Sequence, residues 1–134
     1  MNDFSDRPPS LLVSGIECPV PNWAGVDVFR ACSASETLRL VRMFEFDLLL
    51  AGLEHQDVEP WALLASVRHE HRGQKWAMFS SAISDAQEVR ARALGAVGVF
   101  DALPPTRVLL ELITALRRRA SVRPGGVALA CRVT

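Results

Sequence analysis

The side chains that could support catalysis are few, and their spacing does not assemble a site. Ser80 and Ser81 follow the apolar run Trp76–Phe79, but no base stands where it would activate a serine hydroxyl. His69 and His71 are two residues apart, and residues at that spacing do not share a helix face. We therefore predict no catalytic residue and no metal site, and interpret Ser80 as a strand-end residue that retains at most an anion contact.

Two other groups of side chains leave a ligand contact open. His55 stands beside Glu54 and Asp57, so a metal or phosphate contact is one interpretation of that stretch. The single basic cluster ends a predicted helix, where cations oppose the negative end of the helix dipole. The cluster consists of Arg117, Arg118 and Arg119, and Arg123 follows it. These arginines could instead bind an anionic partner such as a nucleotide.

Composition restricts the class of protein further. The 134 residues suggest one domain, and 15 basic against 15 acidic residues do not favour nucleic acid as a partner. The three cysteines show no ligand spacing, which predicts a reducing, cytoplasmic setting without disulfides or zinc. The polar N-terminus lacks the pattern of a signal peptide, and no run is long enough for a membrane span. Neither a Gly-rich phosphate loop nor a nucleophile elbow occurs, so we predict no enzyme and no cofactor.

Hydrophobic periodicity predicts an alternation of strands and helices. Ser33 and Glu36 have the spacing of a capping box, and Asp85 with Glu88 is predicted to cap a later helix that turns Val89, Ala93 and Leu94 inward. Strands are predicted at 11–16, 26–31, 46–51, 76–79 and 97–100, and helices at 34–44, 60–68, 85–94 and 106–119. Strands separated by helices form a parallel sheet covered on both faces, and the expected strand order is 2-1-3-4-5.

Three segments in this order resemble the receiver domain of bacterial two-component response regulators. They are Phe46-Asp-Leu-Leu-Leu-Ala-Gly-Leu53, Asp57-Val-Glu-Pro-Trp-Ala-Leu-Leu-Ala-Ser-Val-Arg68 and Ala93-Leu-Gly-Ala-Val-Gly-Val-Phe100. The resemblance covers residues 11–119. It implies a flavodoxin-like α/β fold, a three-layer sandwich around a five-stranded parallel sheet.

The resemblance also implies a phosphoryl site, whose residues this chain lacks. Receivers accept the phosphoryl group on an aspartate ending the third strand, and an acidic pair after the first strand holds Mg²⁺. The acceptor position falls on Gly52, and the acidic pair falls on Gly15 and Ile16, with Glu17 beside them. The family's lysine after the fifth strand falls on Ala102, and Ser80 alone matches the pattern. The resemblance therefore indicates a degenerate receiver, a pseudo-receiver, that has lost phosphoryl transfer.

A second departure concerns the connection between the first two strands. The nine residues 17–25 include two prolines and a glycine, so the helix that receivers carry here is predicted to be shortened or absent. Its loss is predicted to leave one apolar face of the sheet short of cover, and such a patch tends to mark an interface. The predicted interface residues are Val20 and Trp23 in the connection and Leu129 and Cys131 in the C-terminal tail.

These observations predict a disordered segment at 1–10, a receiver-like domain at 11–120 and a tail at 121–134 that is strand-like or forms an interface. The expected function is a phosphorylation-independent signalling module that binds a protein partner, as a homodimer or in a heteromeric complex. Two alternatives stay open: a sensor of a nucleotide second messenger, and a true phospho-acceptor at a displaced acid such as Asp57.

Overall fold

A computed structural model describes residues 7–16, 19–52 and 60–121, with side chains to residue 119. Five strands form one parallel sheet: β1 Ser10–Ser14, β2 Asp27–Ala31, β3 Leu48–Gly52, β4 Trp76–Phe79 and β5 Val99–Phe100. Their order in the sheet is β2-β1-β3-β4-β5, so the predicted flavodoxin-like topology is confirmed. All strands run in one direction, and their carboxyl ends therefore meet at one edge of the sheet, the carboxyl edge.

Four helices cover the sheet: α1 Ala34–Met43, α2 Pro60–Glu70, α3 Asp85–Ala93 and α4 Thr106–Ser121. α1 begins where predicted, because the Ser33 hydroxyl accepts from the Glu36 N–H at 3.1 Å. The Glu36 carboxylate reaches back to the N–H of Cys32, one residue before the position a complete capping box would use.

The predicted cap of α3 is wrong by one residue. Ser84 caps this helix in a capping box with Gln87, and Asp85 is its first residue. The predicted inner face is wrong as well, since Val89 is 69% exposed and Ala91 is the buried residue. With mostly polar and small residues, this short helix has no apolar stripe long enough to fix its rotation from sequence.

The core lies in two layers, one on each face of the sheet. Leu12, Leu49 and Met78 pack under α1, α2 and α3, whereas the alternate residues of the same strands pack under α4. Strands buried on both faces are nearly continuous in apolar residues, and this explains the Leu-rich sequences of β1 and β3.

Trp23 replaces the cover that a first helix would have provided. It is 2% exposed, it packs in the α4 layer, and its indole N–H donates to the carbonyl of Pro104 at 2.8 Å. The predicted interface role of Trp23 is therefore wrong, because the large indole fills the space from inside the fold. Val20 is half-buried against the same layer, and no helix occurs in the described part of the connection. Leu129 and Cys131 lie outside the described residues.

The described chain begins earlier than the predicted domain boundary. Ser10 is the first residue of β1, and the carbonyls of Arg7 and Pro8 accept hydrogen bonds from Arg117. Of the segment predicted to be disordered, residues 7–10 thus belong to the fold. Within the described residues, no helix combines the length and apolarity that crossing a membrane requires.

Candidate functional site at the carboxyl edge

The carboxyl edge brings together three positions that the resemblance assigns to phosphoryl chemistry: Gly15, Ile16 and Gly52. Gly15 has a φ of 73°, and this left-handed conformation turns the chain after β1 across the end of β3. A Cβ built on Gly52 would overlap the carbonyl oxygen of Gly15 and would stand 2.6 Å from Cγ1 of Ile16. The space in which an acceptor side chain would begin is therefore filled by backbone.

The polar groups of the same edge bond to one another. The hydroxyls of Ser14 and Thr37 are 2.7 Å apart, and Thr37 donates onward to the carbonyl of Ser33 at 2.8 Å. Both side chains are buried, at 1% and 0% exposure. Arg30 donates to the carbonyl of Ile16 at 2.6 Å and holds the turn that closes over Gly52. A hydroxyl chain that is satisfied internally fixes structure and offers no group to a ligand.

Ser80 and Ala102, the remaining described positions of the predicted set, lie on the neighbouring loops. The Ser80 hydroxyl accepts from the Ala82 N–H at 3.3 Å, which closes a local turn. Ala102 is exposed and supplies no cation. Glu17 and the alternative ligands Glu54, His55 and Asp57 lie outside the described residues. Among the described residues, no group of three or more His, Cys, Asp or Glu side chains could hold a metal ion.

Arg117, predicted as an anion contact, is engaged within the protein at the opposite, amino edge of the sheet. Its Nε and Nη2 donate to the two carboxylate oxygens of Asp47 at 2.9 and 2.8 Å, a bidentate pair only 14% and 11% exposed. Ser10 donates its backbone N–H to the same carboxylate at 2.9 Å. The predicted ligand role of Arg117 is therefore wrong. Arg118 and Arg119 are exposed on α4, and their predicted role stays a prediction.

The environment of Asp47 changes its acidity in two opposing directions. Burial alone raises the pKa of the carboxyl group, but the hydrogen bonds from Arg117 and Ser10 and the charge of Arg117 outweigh it, so the pKa lies below the ordinary 3.8. Asp47 therefore stays ionised in the folded protein and joins the start of β3 to β1 and α4.

Sequence reasoning missed an exposed aromatic cluster at the β2 edge of the sheet. The ring of Phe29 stands 6.3 Å from that of Phe44 and 5.3 Å from that of Phe46. Phe46 is buried, but Phe29 and Phe44 are 41% and 48% exposed. The available signal was the apolar Met43-Phe44 pair in the last turn of the predicted helix 34–44.

No family model matches this sequence, and no curated protein matches it either. Solved structures do match. A CheY-like response regulator receiver domain protein from Methanospirillum hungatei is 19% identical, with a TM-score of 0.66 over 85% of this chain and 98% of that chain. A response regulator from Thermotoga maritima is 21% identical, with a TM-score of 0.68 over 82% of this chain and 98% of that one.

A third match is the receiver domain of NtrC4, determined as a beryllofluoride-activated dimer. It is 13% identical, with a TM-score of 0.63 over 81% of this chain and 97% of that one. The structural neighbours are thus response regulator receiver domains, and this chain has their fold over nearly their whole length.

Proposed function

We propose that this chain is a receiver-like signalling module that accepts no phosphoryl group and acts by associating with a second copy of itself. The observation that carries the first half is the closed space at Gly52. Phosphoryl transfer requires a nucleophile in line with the phosphorus and charge compensation beside it. Glycine supplies no nucleophile, and the carbonyl of Gly15 occupies the position where its replacement would begin.

Incubation with acetyl phosphate and Mg²⁺, followed by intact-mass measurement, tests the first half. We expect no phosphoryl adduct on the wild-type chain. Gly52→Asp is the matched variant, because it restores a carboxylate where receivers carry one, and we expect it to remain unmodified as well since the side chain has no room. A wild-type adduct that Asp57→Asn abolishes would identify a displaced acceptor and overturn the proposal.

The association surface we propose is the free edge of β2. This strand ends the sheet, and its residues Asp27–Arg30 are all exposed. Because the Asp27 N–H points inward to the carbonyl of Pro9, the alternation of a strand turns the N–H and C=O groups of Val28 and Arg30 outward. An edge strand without lysine, proline or bulge is a template for another strand.

When the β2 strands of two chains pair antiparallel about Phe29, the outward N–H and C=O groups of one strand meet those of the other. Val28 of one chain then faces Arg30 of the other, and the two pairs exchange about four hydrogen bonds. Phe29 faces Phe29 at the close, non-hydrogen-bonded position, where aromatic pairs are favourable. The acidic end of each strand at Asp27 adjoins the basic end of its partner, whereas parallel pairing would align like charges. This reversal of charge along β2 favours a second copy.

The apolar area also suits a modest dimer. Phe29 and Phe44 expose 41% and 48% of their surface and Met43 exposes 60%. At 150–250 Å² for an aromatic side chain, these three residues contribute roughly 300 Å² per copy. This apolar area is roughly half of the ~600–800 Å² per partner of a small specific interface, and the polar flanks of β2 add to it.

Light scattering coupled to size exclusion, at high micromolar concentration, tests the second half. We expect a dimer for the wild type, a monomer for Phe29→Arg, and a monomer for Val28→Pro, which removes an outward N–H. Val89→Arg is the control, because Val89 is an exposed apolar residue on α3, away from this edge. A wild-type monomer, or a dimer that Phe29→Arg and Val28→Pro leave intact, would contradict self-association through β2.

A further inference from the structure

We propose that the amino edge of the sheet carries a binding site for a small phosphorylated ligand of the nucleotide class. A cavity of about 290 Å³ opens there between the ends of α2 and α3 and the start of β4. Its lining combines three cations, Arg68, Arg72 and Lys75, with the indole of Trp76. No carboxylate lines it among the described residues, but Lys75 also lines a second cavity that contains Glu45 and Asp47.

The three cations differ from most other basic residues of the fold in having no partner. Elsewhere Arg42 pairs with Glu70, Arg92 with Glu88, Arg107 with Glu111 and Arg117 with Asp47. Across the described ranges, by contrast, no ion pair or side-chain hydrogen bond engages the cations of the cavity. The charge of Arg68 and Arg72 is therefore directed at solvent or a ligand.

Helix ends account for only part of this charge. α2 and α3 both end at this edge, and each carboxyl end is equivalent to about half a negative charge. Two such ends offset roughly one positive charge, so Arg68 and Arg72 leave the cavity a net charge of about +1, and Lys75 is shared with the second cavity. An anion placed there meets attraction that the fold itself does not neutralise.

Trp76 supplies a second, independent indication of a ligand. The residue is 7% exposed, and its indole N–H has no hydrogen-bond partner in the described structure. Every fully buried side-chain nitrogen and oxygen of the described residues has a hydrogen-bond partner. An indole N–H without a partner is therefore reachable by solvent. It faces the Gly95 rim of the cavity, where an added Cβ would stand 4.0 Å from the indole nitrogen. An unpaired donor beside these cations suits an anion, and the half-buried Val97 beside the indole suits a base.

The loop that carries two of the cations is held in place. Gln74 is 6% exposed. Its amide oxygen accepts from the Phe46 N–H at 3.3 Å, and its amide nitrogen donates to the Phe46 carbonyl at 3.0 Å. These two hydrogen bonds fix the turn that carries Arg72 and Lys75. At ~300–1,000 Å³ for typical small-molecule sites, the cavity lies at the lower limit, which favours a mononucleotide.

Titration of the ¹⁵N-labelled protein with inorganic phosphate, adenosine and AMP tests the proposal through the indole N–H resonances. We expect AMP to shift the Trp76 resonance saturably, with an affinity at least fivefold above that of phosphate, and adenosine to have no effect. The Trp23 indole, bonded to Pro104, should stay unshifted and serves as the internal control.

Variants assign the effect to the cavity. Arg68→Gln and Arg72→Gln should each weaken AMP binding at least fivefold, whereas Arg39→Gln, an exposed arginine on α1, should not change it. Equal binding of phosphate and AMP would overturn the nucleotide class. The absence of a saturable Trp76 shift, or a shift that Arg68→Gln and Arg72→Gln leave unchanged, would overturn the site.

Discussion

The two edges of the sheet contrast sharply in how they use polar groups. At the carboxyl edge, Gly52 is closed by Gly15, and the buried hydroxyls of Ser14 and Thr37 are bonded to each other and to the Ser33 carbonyl. At the amino edge, a bidentate ion pair stands near three cations without partners. The two edges of one sheet thus differ in the polar groups that they offer, because these groups belong to loops and helix ends, which the strand order does not determine.

The largest expected effect of a substitution at the amino edge is that of Arg117→Met. It leaves the part-buried Asp47 carboxylate without its cation. Losing one partner of a fully buried pair costs about 3–5 kcal/mol, and with 14% and 11% of these side chains exposed we expect a loss near the lower limit. Urea unfolding should show this loss. Arg119→Met, on the exposed side of the same helix, should change the free energy of unfolding by less than about 0.5 kcal/mol. Equal effects of the two would mean that the pair does not hold the edge together.

At the carboxyl edge, Gly52→Ala should lower the free energy of unfolding by about 1–3 kcal/mol, because the added methyl overlaps the Gly15 carbonyl. Gly73→Ala provides the comparison, since its nearest neighbour would stand at an ordinary 3.7 Å. Chemical denaturation of both variants measures the difference. A neutral Gly52→Ala would mean that the acceptor position is open after all.

The ion pair at the amino edge should also make stability depend on pH. The pKa of Asp47 is lowered in the folded state, so its contribution is complete above the ordinary value of 3.8 and is lost as pH falls through the folded pKa. The stability difference between wild type and Asp47→Asn should therefore shrink as the solution is acidified below pH 3.8. A difference that stays constant to the acid limit would contradict the assignment.

The smallest effect is expected where cations have no partner. Arg68→Gln and Arg72→Gln break no ion pair, so each should change the free energy of unfolding by less than about 0.5 kcal/mol. Thermal unfolding without ligand measures this change. A loss as large as that of Arg117→Met would show that these residues serve the fold and would remove the contrast between the paired and unpaired cations of this edge.

Most of the helices and strands could be predicted because local sequence determines where they begin and end. The Leu-rich strands, the Ser33 cap and the Gly95 stop each act within a few residues, so strand and helix positions were predicted with small errors at the ends. The strand order followed from the alternation of strands and helices along the chain. Ser84 and Asp85 are both good caps, and local sequence did not separate them.

The candidate sites were harder to predict because they depend on residues distant in sequence. Asp47 and Arg117 are 70 residues apart, and no periodicity links them. Trp23 lies in a connection too short for a helix, and only the space beneath α4 decides whether its indole turns inward. The cations of the amino edge belong to loops and helix ends, whose meeting place follows from the topology.

The burial of the Trp23 indole has a consequence for tryptophan fluorescence. This indole is sealed from water, whereas the proposed nucleotide site places Trp76 beside an opening, so the two should respond differently to a soluble quencher such as iodide. Trp23 joins the link between β1 and β2 to the approach to α4, and its emission would report any event that separates those two loops.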